Sequence, residues 1–267
     1  MLTQVADGVA VRESAFCRTS TVVVQGRDGV LLVDPGVLDA ELAALADELT
    51  DADRTVVAGF STHPHWDHLL WHPRLGAPPR WATQRCADTI RGALADPGFA
   101  DRVATMIPPD IVERVPMDLL GLVDGLPADA AELRWDGPRV RVLEHRAHAA
   151  GHAALLVEES GVLVAGDMLS DVLVPMLDLG AADPIGDHLA ALRLLEDAAG
   201  GVDVVVPGHG SVGDAQELHA RIARDRAYLH ALRDDDVVDD PRIGPAAPFP
   251  WVADVHAGQA RRLVAQR

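Results

Sequence analysis

The stretch "TVVAGFSTHPHWDH", residues 55 to 68, decides how the chain is read. Its first half is an apolar, β-branched run with the length and composition of a buried strand. Its second half, "HPHWDH" at 63 to 68, puts three histidines and an aspartate into six residues. Imidazole and carboxylate together suit zinc, and also iron or manganese. Residues two apart in an extended segment point to the same side, so His63 and His65 can share one ion while Asp67 and His68 turn towards a second. A lone histidine near a turn is usually a polar surface residue, and with 12 histidines in the chain some clustering arises by chance. Four ligand-type side chains at the mouth of one strand go beyond that.

Outward from this point, the chain alternates short strands with helical patterns. "STVVVQG" and "VLLVDPG", joined by "RDG", read as a hairpin. Leu38, Leu42, Leu45 and Leu49 then recur at helical spacing, with Asp39 expected to cap the start. Prolines interrupt the pattern between Ala82 and Asp136, where short helices are expected. "RVRVLEH", "AALLVEE" and "GVLVAGD" read as three successive strands, the last two joined by the turn "ESG". Leu189, Leu192 and Leu195 mark a helix expected to be capped by Asp187 and stopped by Gly200 and Gly201. A last strand, "VDVVVPG", leads to "GHG", and Leu218, Ile222, Leu229 and Leu232 share one face of a long helix. "DGVLLVDPG" and "SGVLVAGDM" echo each other as a duplicated βα layout would, and the order of elements points to α/β layering.

Further metal-capable residues also follow apolar strands: Asp34 after "LLV", His148 after "VRVLEHRA", Asp167 after "VLVAG" and His209 after "VVVPG". Strand carboxyl ends in an open α/β sheet are where ligand crevices form, so these residues are expected to converge. Asp167 offers two oxygens and can bridge two ions, which together would clamp a hydroxide and stabilise the oxyanion formed when it attacks. His72, His188, His219, His230 and His256 are read as structural.

Composition narrows the function. The 267 residues, 48% hydrophobic and 24% charged, suffice for a full globular core. Acidic residues outnumber basic ones 41 to 23, every base is arginine, and the formal charge is -18. That balance argues against a phosphate-backbone binder, and no basic run is visible, so no nucleic-acid partner is expected. Cys17 and Cys86 lie far apart with no CxxC spacing, which argues against a disulfide framework or a thiolate site and for buried thiols in a reducing compartment. The N-terminal "MLTQVADGVAVRESAF" has no basic stretch followed by an apolar one, and no run approaches membrane-spanning length. The expectation is a cytoplasmic protein with a small-molecule substrate and no membrane partner.

Taken in order, "LLVDPG", "HPHWDH", a histidine before a glycine-containing turn, "GD" and "PGHG" resemble the motifs of the metallo-β-lactamase superfamily of hydrolases, whose HxHxDH signature "HPHWDH" matches. The resemblance implies a four-layer αβ/βα sandwich, with two mixed β-sheets between outer helices and a binuclear site in the cleft. By that likeness His63, His65 and His148 hold one metal, Asp67, His68 and His209 the other, and Asp167 bridges. The implied cofactors are two Zn2+, with iron or manganese compatible with the same donors, and Asp34 braces the ligand loop without being a ligand. "AHAAGHAALL" offers both His148 and His152; the family pattern of a histidine, two residues and a glycine favours His148, leaving His152 to orient a ligand through a hydrogen bond. The implied reaction is attack of a metal-bridging hydroxide on a thioester, lactone, ester or amide, with Asp67 passing a proton to the leaving group. Trp66 before the aspartate resembles the glyoxalase II form of the motif. The tyrosine that acyl-homoserine lactone hydrolases carry after the bridging aspartate has no counterpart, because Tyr228 is the only tyrosine. An iron-dependent persulfide dioxygenase-like oxidoreductase of the same fold is the alternative, since ligand identity alone does not choose the metal.

Residues 1–235 are expected to form the catalytic domain. Residues 236–267 read as an acidic, proline-rich connector and a C-terminal helix that packs on the same domain or contacts a second subunit in a homo-oligomer. Substrate selection is assigned to residues 100–125 and to "DMLSDVLVPML". There Met106, Met117, Leu119, Met168 and Met176 are candidates for an apolar pocket, and Trp66, Trp71 and Trp81 for an aromatic wall, with ordinary core packing the competing role for each.

Overall fold

The computed structural model describes residues 1–265; the last two residues of the expected C-terminal helix, Gln266 and Arg267, lie outside the described residues. A first sheet runs through β1 (Thr3–Ala6), β2 (Val9–Glu13), β3 (Ser20–Gln25), β4 (Val30–Val33), β5 (Val56–Phe60), β6 (Arg80–Ala82) and β7 (Asp124–Gly125), in that spatial order. Its first four strands are antiparallel neighbours, and β4 to β7 pair in parallel. A second sheet holds β8 (Glu132–Leu133), β9 (Val140–His145), β10 (His152–Val157), β11 (Val162–Gly166), β12 (Val204–Pro207) and β13 (Gly213–Asp214). Within it only β11 and β12 are parallel. The N-terminal hairpin of β1 and β2 escapes the sequence reading because its apolar alternation is broken by polar residues.

Strand sidedness explains the layers. Val22 and Val24 of β3 point into a cluster with Phe60, Val142, Leu155, Val164 and Val206, which closes the two sheets face to face. Val23, between them, points the other way and packs with Leu45, Ala46 and Leu49 of α1 (Asp39–Asp51). The alternation is not visible as polarity because both faces are covered, so β3 reads as one apolar run. On the far side, Leu156, Leu163 and Val205 pack under Leu192 and Leu195 and under Leu218, Ile222 and Leu229. Two helices later than α1, in chain order after α2 (Gln84–Leu94), α3 (Phe99–Ala104) and α4 (Pro109–Val112), supply those residues: α5 (Pro184–Ala198) and α6 (Ala215–Asp234). The result is the four-layer αβ/βα sandwich. Val252 and Leu263 of α7 (Val252–Ala265) join the same cluster as α5 and α6. No helix among the described residues is long and apolar enough to cross a membrane.

Two expected caps are corrected. Asp39 is the first residue of α1 rather than its cap: Leu38 holds the extended capping position without a side-chain bond, and the Asp39 N–H goes to Arg114 O at 3.0 Å. Asp39 and Glu41 instead place negative charge in the first turn, where the helix dipole favours it. For α5 the cap is Asp183, whose carboxylate accepts the Gly186 N–H at 2.9 Å with Pro184 in the first turn, so Asp187 lies inside the helix. Gly200 and Gly201 follow the helix in a short 3-10 turn, as expected of a stop.

Candidate metal centre

The sheets deliver their carboxyl ends to one edge of the sandwich. β4 is followed at once by Asp34, whose φ of 48° turns the chain sharply and brings its carboxylate under the loop that follows β5. Asp34 Oδ1 accepts the Thr62 N–H at 2.9 Å, and Oδ2 accepts the Thr62 hydroxyl at 2.6 Å and His68 Nδ1 at 2.9 Å. The expected bracing role is thus visible in three bonds. His63 is fully buried, the chain bends through residues 62–64, His65 is extended, and Trp66–His68 close into a 3-10 turn that swings Asp67 and His68 inward.

Hydrogen-bond partners leave the same atom of four of the five histidines facing the centre. His148 Nδ1 lies 2.9 Å from Met176 O and His209 Nδ1 lies 3.0 Å from Cys17 O. A carbonyl oxygen only accepts, so Nδ1 is the donor in both and Nε2 is left for the centre. Cys17 and Arg18 both adopt left-handed backbone, with φ of 49° and 53°, in the turn that presents this carbonyl. His68 donates to a carboxylate in the same way. Thr62 gives its proton to Asp34, so its oxygen accepts from His63 Nδ1 at 3.0 Å, and the rule extends to a fourth histidine.

The freed nitrogens meet the two carboxylates. His68 Nε2 is 3.2 Å from Asp167 Oδ1, and His148 Nε2 and His209 Nε2 are each 3.3 Å from Asp167 Oδ2. His209 Nε2 is 3.4 Å from Asp67 Oδ2, and His63 Nε2 is 3.6 Å from Asp167 Oδ2. Two groups result, His63, His65, His148 and Asp167 in one and Asp67, His68 and His209 in the other, with the offered atoms of each within 4.8 Å of one another. All seven expected residues are therefore brought together. His63 Nε2, His68 Nε2 and Asp167 Oδ1 are buried with no hydrogen-bond partner despite these short separations. Buried polar atoms almost always find partners, and atoms aimed at a common point without bonding one another have the disposition a cation needs. His148 Nε2, left unprotonated by the bond its Nδ1 makes, accepts from His65 Nδ1 at 2.9 Å and ties the two rings together.

The electrostatic field agrees. Burial disfavours a proton on His209, yet Asp167 and Asp67 raise it to about 10, and Asp167 with Asp67 likewise raise His68 well above the usual histidine value. Against the upward push of burial, His209 and His68 hold Asp167 well below the ordinary carboxylate range. Burial, and then the neighbouring His148, depress His65 to about 4. The pocket thus attracts positive charge at the carboxylates and keeps neutral imidazoles beside them.

His152 lies outside both groups. Its Nε2 accepts the Asp167 backbone N–H at 3.0 Å, and its ring stacks on His63 at 4.9 Å. It steadies a ligand-type residue, as expected, but through the main chain rather than through a side chain. Gly166, with φ of 55°, permits this approach, since a Cβ there would sit 2.5 Å from the His152 ring. A Cβ on Gly208, in "PGHG", would collide with Asp167 Oδ1. Sequence reading missed His145, which lies opposite His152 in the β9/β10 register and stacks on it at 4.4 Å. It also left His188 as structural. His188 is fully buried with neither ring nitrogen bonded, and it borders a cavity of about 10 Å³ shared with His148, Asp167, His209 and Asp225. That is room for about one water.

The expected substrate pocket does not form as drawn. Met106 is 71% exposed, Met168 is buried in the core beneath α5, and Met117 and Leu119 pack on a separate cluster with Trp66 and Phe16. The three tryptophans divide among three clusters: Trp81 packs between the sheets, Trp71 lies against Gly59 under α1, and only Trp66 stays beside the ligand loop, edge-on to Phe16 at 5.5 Å. Strand and loop directions, not sequence proximity, separate them. Cys86 is buried and Cys17 half-buried, both free; burial, and then the charges of Asp67 and Asp167, push the Cys17 thiol up to about 12, so it stays protonated.

The sequence matches the family model of the metallo-beta-lactamase superfamily over residues 15–209. No curated protein matches the chain. Among solved structures, the chain is similar to a metallo-beta-lactamase family protein from Thermus thermophilus, at 25% identity and a TM-score of 0.65, covering 96% of this chain and 91% of that one. It is also similar to a beta-lactamase domain protein from Burkholderia ambifaria, at 19% identity and a TM-score of 0.63 over 88% of this chain and 75% of that one. A stereoselective inverting sec-alkylsulfatase from Pseudomonas sp. has 15% identity and a TM-score of 0.66, with 88% of this chain but 42% of the sulfatase covered. The last two likenesses concern the fold alone. With the family match spanning most of the chain, two mixed sheets between helices and two convergent His/Asp groups at their edge, the chain belongs to the metallo-beta-lactamase superfamily and has its metal-dependent hydrolase-type fold.

Proposed function

We propose that the chain is a hydrolase working with two divalent metal ions, zinc in the first instance, on a small-molecule thioester, lactone, other ester or amide. The observation that carries this reading is the convergence of seven side chains into two adjoining groups, with three of their buried polar atoms unpartnered. His63, His65 and His148 would hold one ion, Asp67, His68 and His209 the other, and Asp167 would serve both. Ions bound there supply an activated water near neutral pH and an electrophile for developing negative charge.

The chain's own groups do the rest. Asp34, Met176 O and Cys17 O hold His68, His148 and His209 with Nε2 inward, so the donors are preorganised before substrate arrives. Asp67 is held ionised, since against the upward push of burial His68 and His209 keep its pKa below the usual value. Its carboxylate would take the proton released by the attacking water and pass it to the leaving group. Trp66 and Phe16, half-buried at the ligand loop, would offer an apolar edge to the substrate.

The test is a panel of chromogenic thioester, lactone, β-lactam and ester substrates, with a secondary alkyl sulfate added because of the sulfatase likeness. The reading expects turnover of at least one, lost on chelation and restored by zinc. Inertness of the zinc-loaded protein towards the whole panel, with oxygen uptake on a persulfide by an iron-loaded form, would overturn it.

A further inference from the structure

The family match ends at residue 209, yet hydrogen bonds from beyond that point reach the loop that orients a residue of the metal centre. His148 is oriented by the carbonyl of Met176, and that carbonyl sits in residues 167–183, a stretch with no helix or strand of its own. Something outside the stretch must fix it, because a free loop carbonyl wanders. The peptides on either side of Met176 are both tied to one side chain of α7. Gln259 Nε2 donates to Pro175 O at 3.0 Å, and Gln259 Oε1 accepts the Leu177 N–H at 2.6 Å. The same Nε2 donates to Tyr228 Oη at 3.1 Å. A carbonyl can only accept and a peptide N–H can only donate, so the amide has a single satisfied orientation.

Gln259 is 4% exposed, and a buried amide carries a desolvation cost that an apolar residue would avoid. If α7 only had to be anchored, Val252 and Leu263, already buried in the core cluster, would do so. A side chain with one acceptor and one donor is what a strandless loop needs to be held on both sides of a chosen carbonyl. We propose that Gln259 is a positioning residue for the metal centre: by clamping residues 175 and 177 it holds the Met176 carbonyl that orients His148. The proposal rests on the two-metal reading above.

The experiment titrates the full-length protein with Co2+ and follows the visible absorption of the bound ion. His148→Ala first identifies which binding step belongs to the group of His63, His65 and His148. Gln259→Met keeps the volume and removes both hydrogen-bonding functions; Leu263→Ala loosens the same helix without touching the loop. The expected result is that Gln259→Met weakens the His148 step about 10- to 100-fold and alters its absorption band, as losing an orienting partner does. The other step stays unchanged, and Leu263→Ala lowers the melting temperature while leaving both steps as in the wild type. A Gln259→Met protein that melts lower but binds cobalt in two unaltered steps overturns the proposal, as does equal weakening by Gln259→Met and Leu263→Ala. Should Gln259→Met not fold, Gln259→Glu keeps the volume and the acceptor for the Leu177 N–H but removes the donor to Pro175 O, and a weaker His148 step supports the proposal while an unchanged one overturns it. Wild-type protein that takes up no cobalt fails the two-metal reading itself, and the proposal with it.

Discussion

Replacing Asp34 by asparagine separates orientation from shape. Asparagine tolerates the left-handed backbone of this position, with φ of 48°, and matches the carboxylate in size. The carboxylate accepts three protons, from Thr62 N, the Thr62 hydroxyl and His68 Nδ1, whereas an amide accepts on one side only. If the amide nitrogen faces Thr62 N, two buried donors oppose each other. If it faces His68, the imidazole must accept at Nδ1, and its proton moves to Nε2, the atom left for the centre. Leaving one buried donor unsatisfied costs about 1–3 kcal/mol. At about 2–4 °C per kcal/mol for a chain of this size, the metal-free protein should melt about 2–12 °C lower. Loss of the orienting partner should weaken metal binding about 10- to 100-fold, or about 1.4–2.8 kcal/mol. Calorimetric melting in excess chelator measures the first quantity and zinc competition against a chromogenic chelator the second. An Asp34→Asn protein that keeps wild-type affinity for both ions would refute the claim that Asp34 sets the histidine's orientation.

Gly208→Ala drives a methyl group into Asp167 Oδ1 and to 2.9 Å from the Gly166 main chain, so overpacking of about 1–3 kcal/mol and reduced metal content are expected, read by urea unfolding and elemental analysis. Arg242 bonds Asp225, Asp240, Ser170 O and Leu173 O from a fully buried position; Arg242→Met strands two buried carboxylates and should cost about 3–5 kcal/mol in urea unfolding, with part recovered in the double variant that adds Asp225→Asn. Metal removal should lower the melting temperature, since an ion at 100 to 1,000 times its Kd contributes about 2.7–4.1 kcal/mol, or about 5–16 °C here, checked by scanning calorimetry with and without chelator. Asp67→Asn should reduce turnover of any substrate found by about 10²-fold or more, measured at saturating metal.

The centre was legible because its residues lie in short contiguous motifs at strand ends, and a strand's direction carries its last residue to the sheet edge whatever the rest of the fold does. The choice between His148 and His152 needed the motif's glycine; the structure adds the physical reason, since His152 spends its Nε2 on the Asp167 backbone. What stayed hidden depends on distant partners. Asp39 looked like a cap until Arg114 O took its N–H. The true cap of α5 left a local sign, an aspartate directly before proline, which outranks the more central Asp187. Arg242 and Gln259 drew no reading from the sequence, because nothing local distinguishes a polar side chain that will be buried against a loop far earlier in the chain. Trp66, Trp71 and Trp81 are near one another in sequence, but only Trp81 lies in a strand, and the turns around the other two carry them to different clusters.

The central claim, a two-metal centre built by the two His/Asp groups, is tested most directly by elemental mass spectrometry on protein purified without added metal and then equilibrated with zinc. The account predicts about two zinc ions per chain, falling to about one in His209→Ala. Zinc-equilibrated wild-type protein holding no zinc, or holding about one iron that zinc does not displace, would contradict it.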